Sequence, residues 1–209
     1  MAPRLQIPER MRYFTVALAF MLVLQVPRAE AGAPTDQLKR HVDEVIAVLD
    51  DASTKSQPAR RRAAVRKVAE DVFDYPETAR RALGPHWSDR TPEEQREFVA
   101  IFADLLDHAY LSKIDVYQGE KVQYTGETVD GDQATVKTTL VTPKGTSIPI
   151  DYRMHRVSDR WRVYDVVIQG VSLVANYRTQ FNRIVRSESY QALVQKLRDR
   201  QVQPVASGR

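Results

Sequence analysis

The chain has 209 residues, no cysteine and a formal net charge of +4. Without a thiol it offers no cysteine nucleophile, no cysteine-based metal site and no disulfide, so its fold must rest on an apolar core alone. Residues 1–31 carry Arg4, Arg10, Arg12 and Arg28 against Glu9 and Glu30. Without them the balance falls to about +2, which removes most of the case for a nucleic-acid partner.

Those first residues read as a targeting segment. An apolar run of about fourteen residues, 13–26, follows the arginines and precedes Ala29-Glu30-Ala31, a small-x-small cleavage pattern. The run is shorter than the roughly 20 residues a membrane-spanning helix needs. A signal peptide over 1–31, cleaved after Ala31, is therefore expected, with Met11 as a second possible start. What remains suits a single domain, 32–200, followed by a flexible tail, 201–209.

Thr35 or Asp36 is expected to cap a first helix, whose stripe is Leu38, Val42, Val45, Ile46 and Leu49. A polar link, 53–57, leads to a second helix opened by Pro58, with Ala63, Ala64, Val65 and Val68 inward. Its outer face is basic: Arg60, Arg61, Arg62, Arg66 and Lys67. A short helix after Pro76 ends at Gly84. Thr91-Pro92-Glu93-Glu94 is a capping box, and the helix it starts, to about Asp115, carries Phe98, Phe102 and Leu106 on a wide apolar stripe.

Strands follow. Segments 122–129 and 134–142 form a hairpin across Asp130-Gly131-Asp132. Val136 and Leu140 alternate with polar neighbours, as do Ile148, Ile150 and Tyr152 in the next strand. Pro149 cannot donate to a ladder, which predicts an edge or a bulge there. In the strand beginning at Trp161, period two places Trp161, Val163 and Val167 on one face and Tyr164, Val166 and Ile168 on the other. At Gly170 the period changes. Ser172 is placed to cap a helix bearing Leu173, Tyr177, Phe181 and Ile184, and a last helix spans 189–198. Helices, a four-strand meander, then helices define an α+β domain, with an antiparallel sheet covered on one face by the helices.

Two blocks stand out. The first is Gly84-Pro85-His86-Trp87 with Thr91, Gln95, Phe98, Phe102 and Tyr110. The second is W-R-V-Y-D-V from Trp161, followed by G-V-S-L and N-Y-R-x-Q-F. In this order they resemble the MlaC family of periplasmic phospholipid-binding proteins, also called toluene-tolerance auxiliary proteins. The similarity covers about residues 35–197. It implies a curved sheet with a lipid cavity between sheet and helices, a phospholipid cargo with two acyl chains, and a monomeric carrier that is not an enzyme and uses no cofactor. It also implies two partners: an inner-membrane ABC lipid transporter complex and an outer-membrane lipoprotein complex. Related proteins accompany hopanoid synthesis, so a polycyclic lipid stands as an alternative cargo.

On pattern alone, the apolar set Phe98, Phe102, Leu106, Val136, Leu140, Ile148, Ile150, Tyr152, Val163, Val167, Leu173, Tyr177 and Phe181 fits an ordinary core; the resemblance turns it into a lipid-binding set. Tyr152, Asn176, Tyr177 and Arg178 are the candidates for headgroup contact. Arg60, Arg61, Arg62 and Lys67 are the candidates for docking on an acidic partner or membrane surface. Other chemistry is thinner. Ser172 lies in G-V-S-L-V, which lacks the second glycine of a nucleophile elbow. Asp165 could be a buried acid with Asp151 nearby, or a structural contact to arginine or backbone. His41, His86, His108 and His155 lie on separate elements without metal-ligand spacing. An exported enzyme using Asp165 or Ser172, or an envelope adaptor with a filled core, are the competing classes.

Overall fold

The computed structural model describes residues 33–111, 117–199 and 202, within one compact unit, Ala31–Arg209. The expected leader and tail lie outside the described residues. The helices are α1 (Pro34–Asp50), α2 (Ala52–Lys55), α3 (Pro58–Val72), α4 (Tyr75–Leu83), α5 (Pro92–Leu111), α6 (Leu173–Ser187) and α7 (Tyr190–Arg198). The strands are β1 (Lys121–Asp130), β2 (Gln133–Val141), β3 (Ser147–Val157), β4 (Arg160–Ile168) and β5 (Val171–Ser172). The sheet is an antiparallel meander in the order β1-β2-β3-β4-β5, so the expected four strands are present and a two-residue fifth is added.

The local signals act as their chemistry requires. Thr91 and Glu94 close the capping box of α5 in both directions, at 3.2 and 3.0 Å. Ser172 Oγ accepts from Ala175 N at 3.0 Å and starts α6. Gly84, at φ 60° and ψ −128°, ends α4 in a region other residues avoid. Some expectations fail. Neither Thr35 nor Asp36 caps α1, which starts at Pro34 with an uncapped N-terminus. Thr35, already inside the helix, instead donates its N–H and hydroxyl to Glu127 on β1, at 2.7 and 2.5 Å, so a tertiary carboxylate takes one of the first-turn amides that a cap would have satisfied. The polar link holds the one-turn helix α2, capped by Asp51. Ala63 is exposed; α3 buries Val65 and Val72.

β4 is bulged. Arg153 pairs with Asp165, but the next β3 residue, Met154, pairs with Val163, leaving Tyr164 as an extra residue. An extra residue reverses the side-chain alternation. Trp161 and Val163 therefore share a sheet face with Val166 and Ile168, whereas Asp165 and Val167 face the other way. This corrects the period-two reading, which grouped Val167 with Trp161 and Val163. The bulge has a use. The carbonyl of Val163 accepts from Asp74 N at 2.8 Å, and that of Tyr164 accepts from Thr78 Oγ1 at 3.0 Å, docking the start of α4 on β4.

The two faces of β4 serve two cores. On one face Ala134, Val136, Met154, Trp161 and Val163 pack with Leu38 of α1 and Val72 of α3. On the other, Asp165 joins the sheet to α6. Its carboxylate, 4% exposed, accepts from Ser172 Oγ at 2.6 Å, Val174 N at 3.0 Å and Arg153 Nη1 at 3.0 Å. A separate helical core lies beyond, built by α4, α5, α6 and α7. The expectation of one covered face is thus also corrected: α1 and α3 cover one side, and α4 and α6 meet β4 on the other. Pro149 lies in an interior strand, not at an edge. Its carbonyl accepts from Gln169 N, and its ring nitrogen points the same way, past the last β3–β4 pair, Ile150↔Ile168, so the missing N–H breaks no bond of the paired ladder.

Asp165→Ala is expected to lower unfolding free energy by about 2–4 kcal/mol, since it strands a buried amide and hydroxyl and removes a charged acceptor. Ser172→Ala should cost about 1 kcal/mol as a lost cap. Denaturant midpoints of the two variants check the ranking.

Candidate functional site

Register and burial together outline one unusual region. The sheet face that packs on α1 and α3 is closed at one end, where Ala134, Val136, Met154 and Val163 are 5% exposed or less. Towards the other end the same face carries Tyr152 and Val166, then Ile150 and Ile168, then Val122, Leu140 and Ile148, all only half-buried. The helices opposite change in step. Leu38 and Val72 sit at the closed end; farther along, Val45 and Ile46 of α1 and Ala64 and Val68 of α3 are half-buried. Arg61 of α3 donates to the carbonyl of Leu49, holding the two helices together past the closed core. Two layers meet at one end, and apolar walls stay partly open at the other.

Two phenols belong to this wall. Burial alone pushes the Tyr152 phenol up to about 12, and the residue as a whole is half-buried. Tyr124 of β1 is raised to about 12 by burial first, then by Tyr152 and Asp43. It directly precedes a second bulge, at Thr125. Between the phenols, Thr138 is 2% exposed and donates to the carbonyl of Ile150 at 2.8 Å, so the wall's floor is satisfied internally.

The thirteen apolar residues singled out from the sequence fall into separate places. Leu140, Ile148, Ile150 and Tyr152 stand together on the half-open wall. Val136 and Val163 lie at its closed end. Phe98, Phe102, Tyr177 and Phe181 pack on one another in the helical core, with ring centroids 5.1–5.9 Å apart, and Leu106 packs against that cluster. Val167 is on the opposite sheet face, and Leu173 is half-buried at the start of α6. Of the four headgroup candidates, only Tyr152 is on the wall. Tyr177 is fully buried among the helices, Asn176 binds Gln180, and the Arg178 chain lies over Gly84. Sequence reasoning missed Val122, Tyr124 and the wall role of Val166 and Ile168. The alternation Val122–Tyr124 was a signal; the bulges hid the rest.

The basic helix is only partly available. Arg61 is engaged at Leu49, and Arg66 Nε pairs with Asp107 Oδ2 at 2.9 Å. Asp107 also accepts from Tyr75 at 3.1 Å, and burial raises its carboxyl despite Arg66. Arg60, Arg62 and Lys67 are exposed. Ser172 and Asp165 hydrogen-bond each other, and both are occupied in starting α6. His155 lies 2.9 Å from Asp74 and His86 2.9 Å from Asn182, far apart in the fold. A surface groove of about 440 Å³ runs beside Thr179, Asn182, Arg183, Arg186 and Ser187, but cations and hydroxyls are poor company for hydrocarbon. Among the described residues, no helix is long and apolar enough to cross a membrane.

An open antiparallel sheet, half-lined with apolar side chains beneath a helical cover, defines an α+β binding scaffold. The family model described as MlaC protein matches residues 39–199, and the chain belongs to that family. It is 21% identical over 208 residues to the intermembrane phospholipid transport system binding protein MlaC of Haemophilus influenzae, covering 96% of this chain and 97% of that one. It is 22% identical over 155 residues to the toluene tolerance protein ttg2D of Pseudomonas putida, 72% of each. A solved structure of a phospholipid-binding protein from Ralstonia solanacearum, in complex with a phospholipid, superposes with a TM-score of 0.73. The identity is 26%, over 80% of this chain and 96% of that one.

Raised phenol values imply a signed pH effect. In the unfolded chain tyrosine ionises near 10; in the fold Tyr124 and Tyr152 hold their protons to about 12. The folded state then binds more protons between these values, so their contribution is complete below pH 10 and is lost as pH rises towards 12. The Tyr124→Phe, Tyr152→Phe double variant should lose less stability than the native chain over that interval, measured by urea midpoints at stepped pH.

Proposed function

We propose that this protein is a periplasmic carrier that holds phospholipid acyl chains against the half-open sheet wall and moves lipid between the inner and outer membranes. The observation that carries the reading is the wall itself: Leu140, Ile148, Ile150 and Ile168 stay half-buried on a sheet face whose other end is packed tight. A folded chain gains about 25 cal/mol for each Å² of apolar surface it buries. A row of large aliphatics left partly open gains further when something apolar covers it. The phospholipid in the Ralstonia solanacearum structure and the name of the Haemophilus influenzae relative support lipid as that cover.

The physics of transfer favours a sleeve over a catalyst. Each methylene costs about 0.8 kcal/mol to leave in water, so two acyl chains oppose crossing by more than roughly 20 kcal/mol. A protein wall that replaces the bilayer removes most of that cost without any bond being made. The targeting segment at 1–31 fits delivery to the periplasm. In this reading the aromatic cluster Phe98, Phe102, Tyr177 and Phe181 is the rigid frame, and the wall residues touch lipid. Donor and acceptor are an inner-membrane ABC lipid transporter complex and an outer-membrane lipoprotein complex. Arg60, Arg62 and Lys67 supply an exposed cationic face for docking on acidic surfaces.

Protein purified from its exporting host, without added lipid, should carry about one two-chain lipid per molecule by native mass spectrometry; lipid-free protein would overturn the proposal. Leu140→Trp and Ile150→Trp should cut that occupancy several-fold while shifting the melting temperature little. Val136→Trp, in the closed core, should cost stability first, by about 1–3 kcal/mol or more. Reversing Arg60 and Lys67 to Glu should weaken retention on anionic vesicles and leave lipid content unchanged, measured by co-sedimentation.

A further inference from the structure

The hydroxyl of Tyr124 is buried and has no hydrogen-bond partner among the described residues. A buried phenol left unpaired is costly, and folded proteins rarely keep one without a use. Tyr124 stands at the point where β1 bulges. Its ring packs against the closed core that includes Val136, and Thr138 is its cross-strand neighbour. It is therefore at the seam between the packed end of the sheet face and the half-open end.

What the hydroxyl can bind follows from its surroundings. Thr138 already donates to the carbonyl of Ile150. The charged group near Tyr124 is Asp43 of α1, an anion, itself paired with Lys39 at 2.8 Å. A phosphate brought to a buried phenol beside a carboxylate would lose water and meet like charge. A neutral acceptor meets neither penalty. In a two-chain glycerolipid the neutral acceptors are the ester carbonyls, at the boundary between hydrocarbon and headgroup. A donor at the end of an apolar wall matches that boundary.

We propose that Tyr124 is the residue that positions the lipid along the wall, donating its hydroxyl proton to an ester carbonyl of the bound two-chain glycerolipid. This rests on the carrier reading and refines it. The hydrocarbon supplies affinity, and Tyr124 supplies register, fixing where along the wall the ester carbonyls sit. It also makes the site selective: a lipid with ether-linked chains of equal length offers the same hydrocarbon but no carbonyl.

The test is exchange of the purified full chain against excess vesicles holding equal amounts of diacyl and dialkyl phosphatidylglycerol of matched chain length. The lipid recovered on the protein is then measured by mass spectrometry. The native chain should take up the ester lipid over the ether lipid by roughly five- to tenfold, the value of one well-formed hydrogen bond. Tyr124→Phe should bring the ratio close to one. Its melting temperature without lipid should not fall, since no partner among the described residues is lost. An unchanged ratio in Tyr124→Phe, a native ratio near one, or a clear loss of lipid-free stability in the variant overturns this assignment alone. A native chain that takes up neither lipid overturns the carrier reading with it.

Discussion

The structure turns on one extra residue in β4. Tyr164 interrupts the alternation so that a nine-residue strand faces two cores in succession. Before the bulge, Trp161 and Val163 close the sheet core beneath α1 and α3. After it, Asp165 points to the opposite side and anchors α6 through Ser172 and Val174. A regular strand of this length would send Val163 and Asp165 to the same side. Either a carboxylate would then enter the sheet core, at a cost of several kcal/mol, or α6 would lose its anchor. The bulge also frees the carbonyls of Val163 and Tyr164 to receive the start of α4, so the helical core is hung from the sheet at that point. The Tyr164 ring is held as well, under the guanidinium of Arg81 at 3.8 Å and against His155.

That division of labour explains how one wall can stay open without the molecule loosening. Four helices pack around Phe98, Phe102, Tyr177 and Phe181, whose edge-to-face contacts add about 0.5–1.5 kcal/mol per pair beyond burial. They do not need the far end of the sheet to complete their core. α1 and α3 are pinned independently. Thr35 bonds Glu127 and Trp161 N bonds Gln37 at one end; Arg61 bonds the Leu49 carbonyl at the other. Between these pins the apolar face from Tyr152 to Leu140 has support at its margins and stays half-buried along its length.

Polar chemistry in this protein mostly joins elements. Asp165, Asp107 and Asp74 each hold partners from more than one element, while Glu77 braces its own helix. The two arginines Arg80 and Arg81 hold the Glu77 carboxyl down to about 2, against burial. Tyr124 departs from this pattern. Its hydroxyl is placed at the seam of the wall and has no partner among the described residues, the observation from which its proposed contact with a ligand oxygen is argued.

The sequence by itself determined the kinds and order of elements. The capping box at Thr91, the cap at Ser172, the turn at Gly131 and the stop at Gly84 are local, so their chemistry reads directly from neighbouring residues. The family signature around Trp161–Ser172 is equally local, and with it the class of ligand could be anticipated. Tertiary structure alone decided which side chains share a face. Period two grouped Val167 with Val163, because alternation cannot reveal an inserted residue such as Tyr164, and the resemblance, not the pattern, joined the helical aromatics to the lipid-binding set. An apolar stripe also cannot say whether its partner is protein or lipid. Phe102 and Ile150 look alike as letters; one is sealed by three other rings, the other is left half-buried on the sheet face. Hydrophobicity is a property of the residue, whereas closure depends on the distance between layers, and that distance is fixed only when the whole chain has packed.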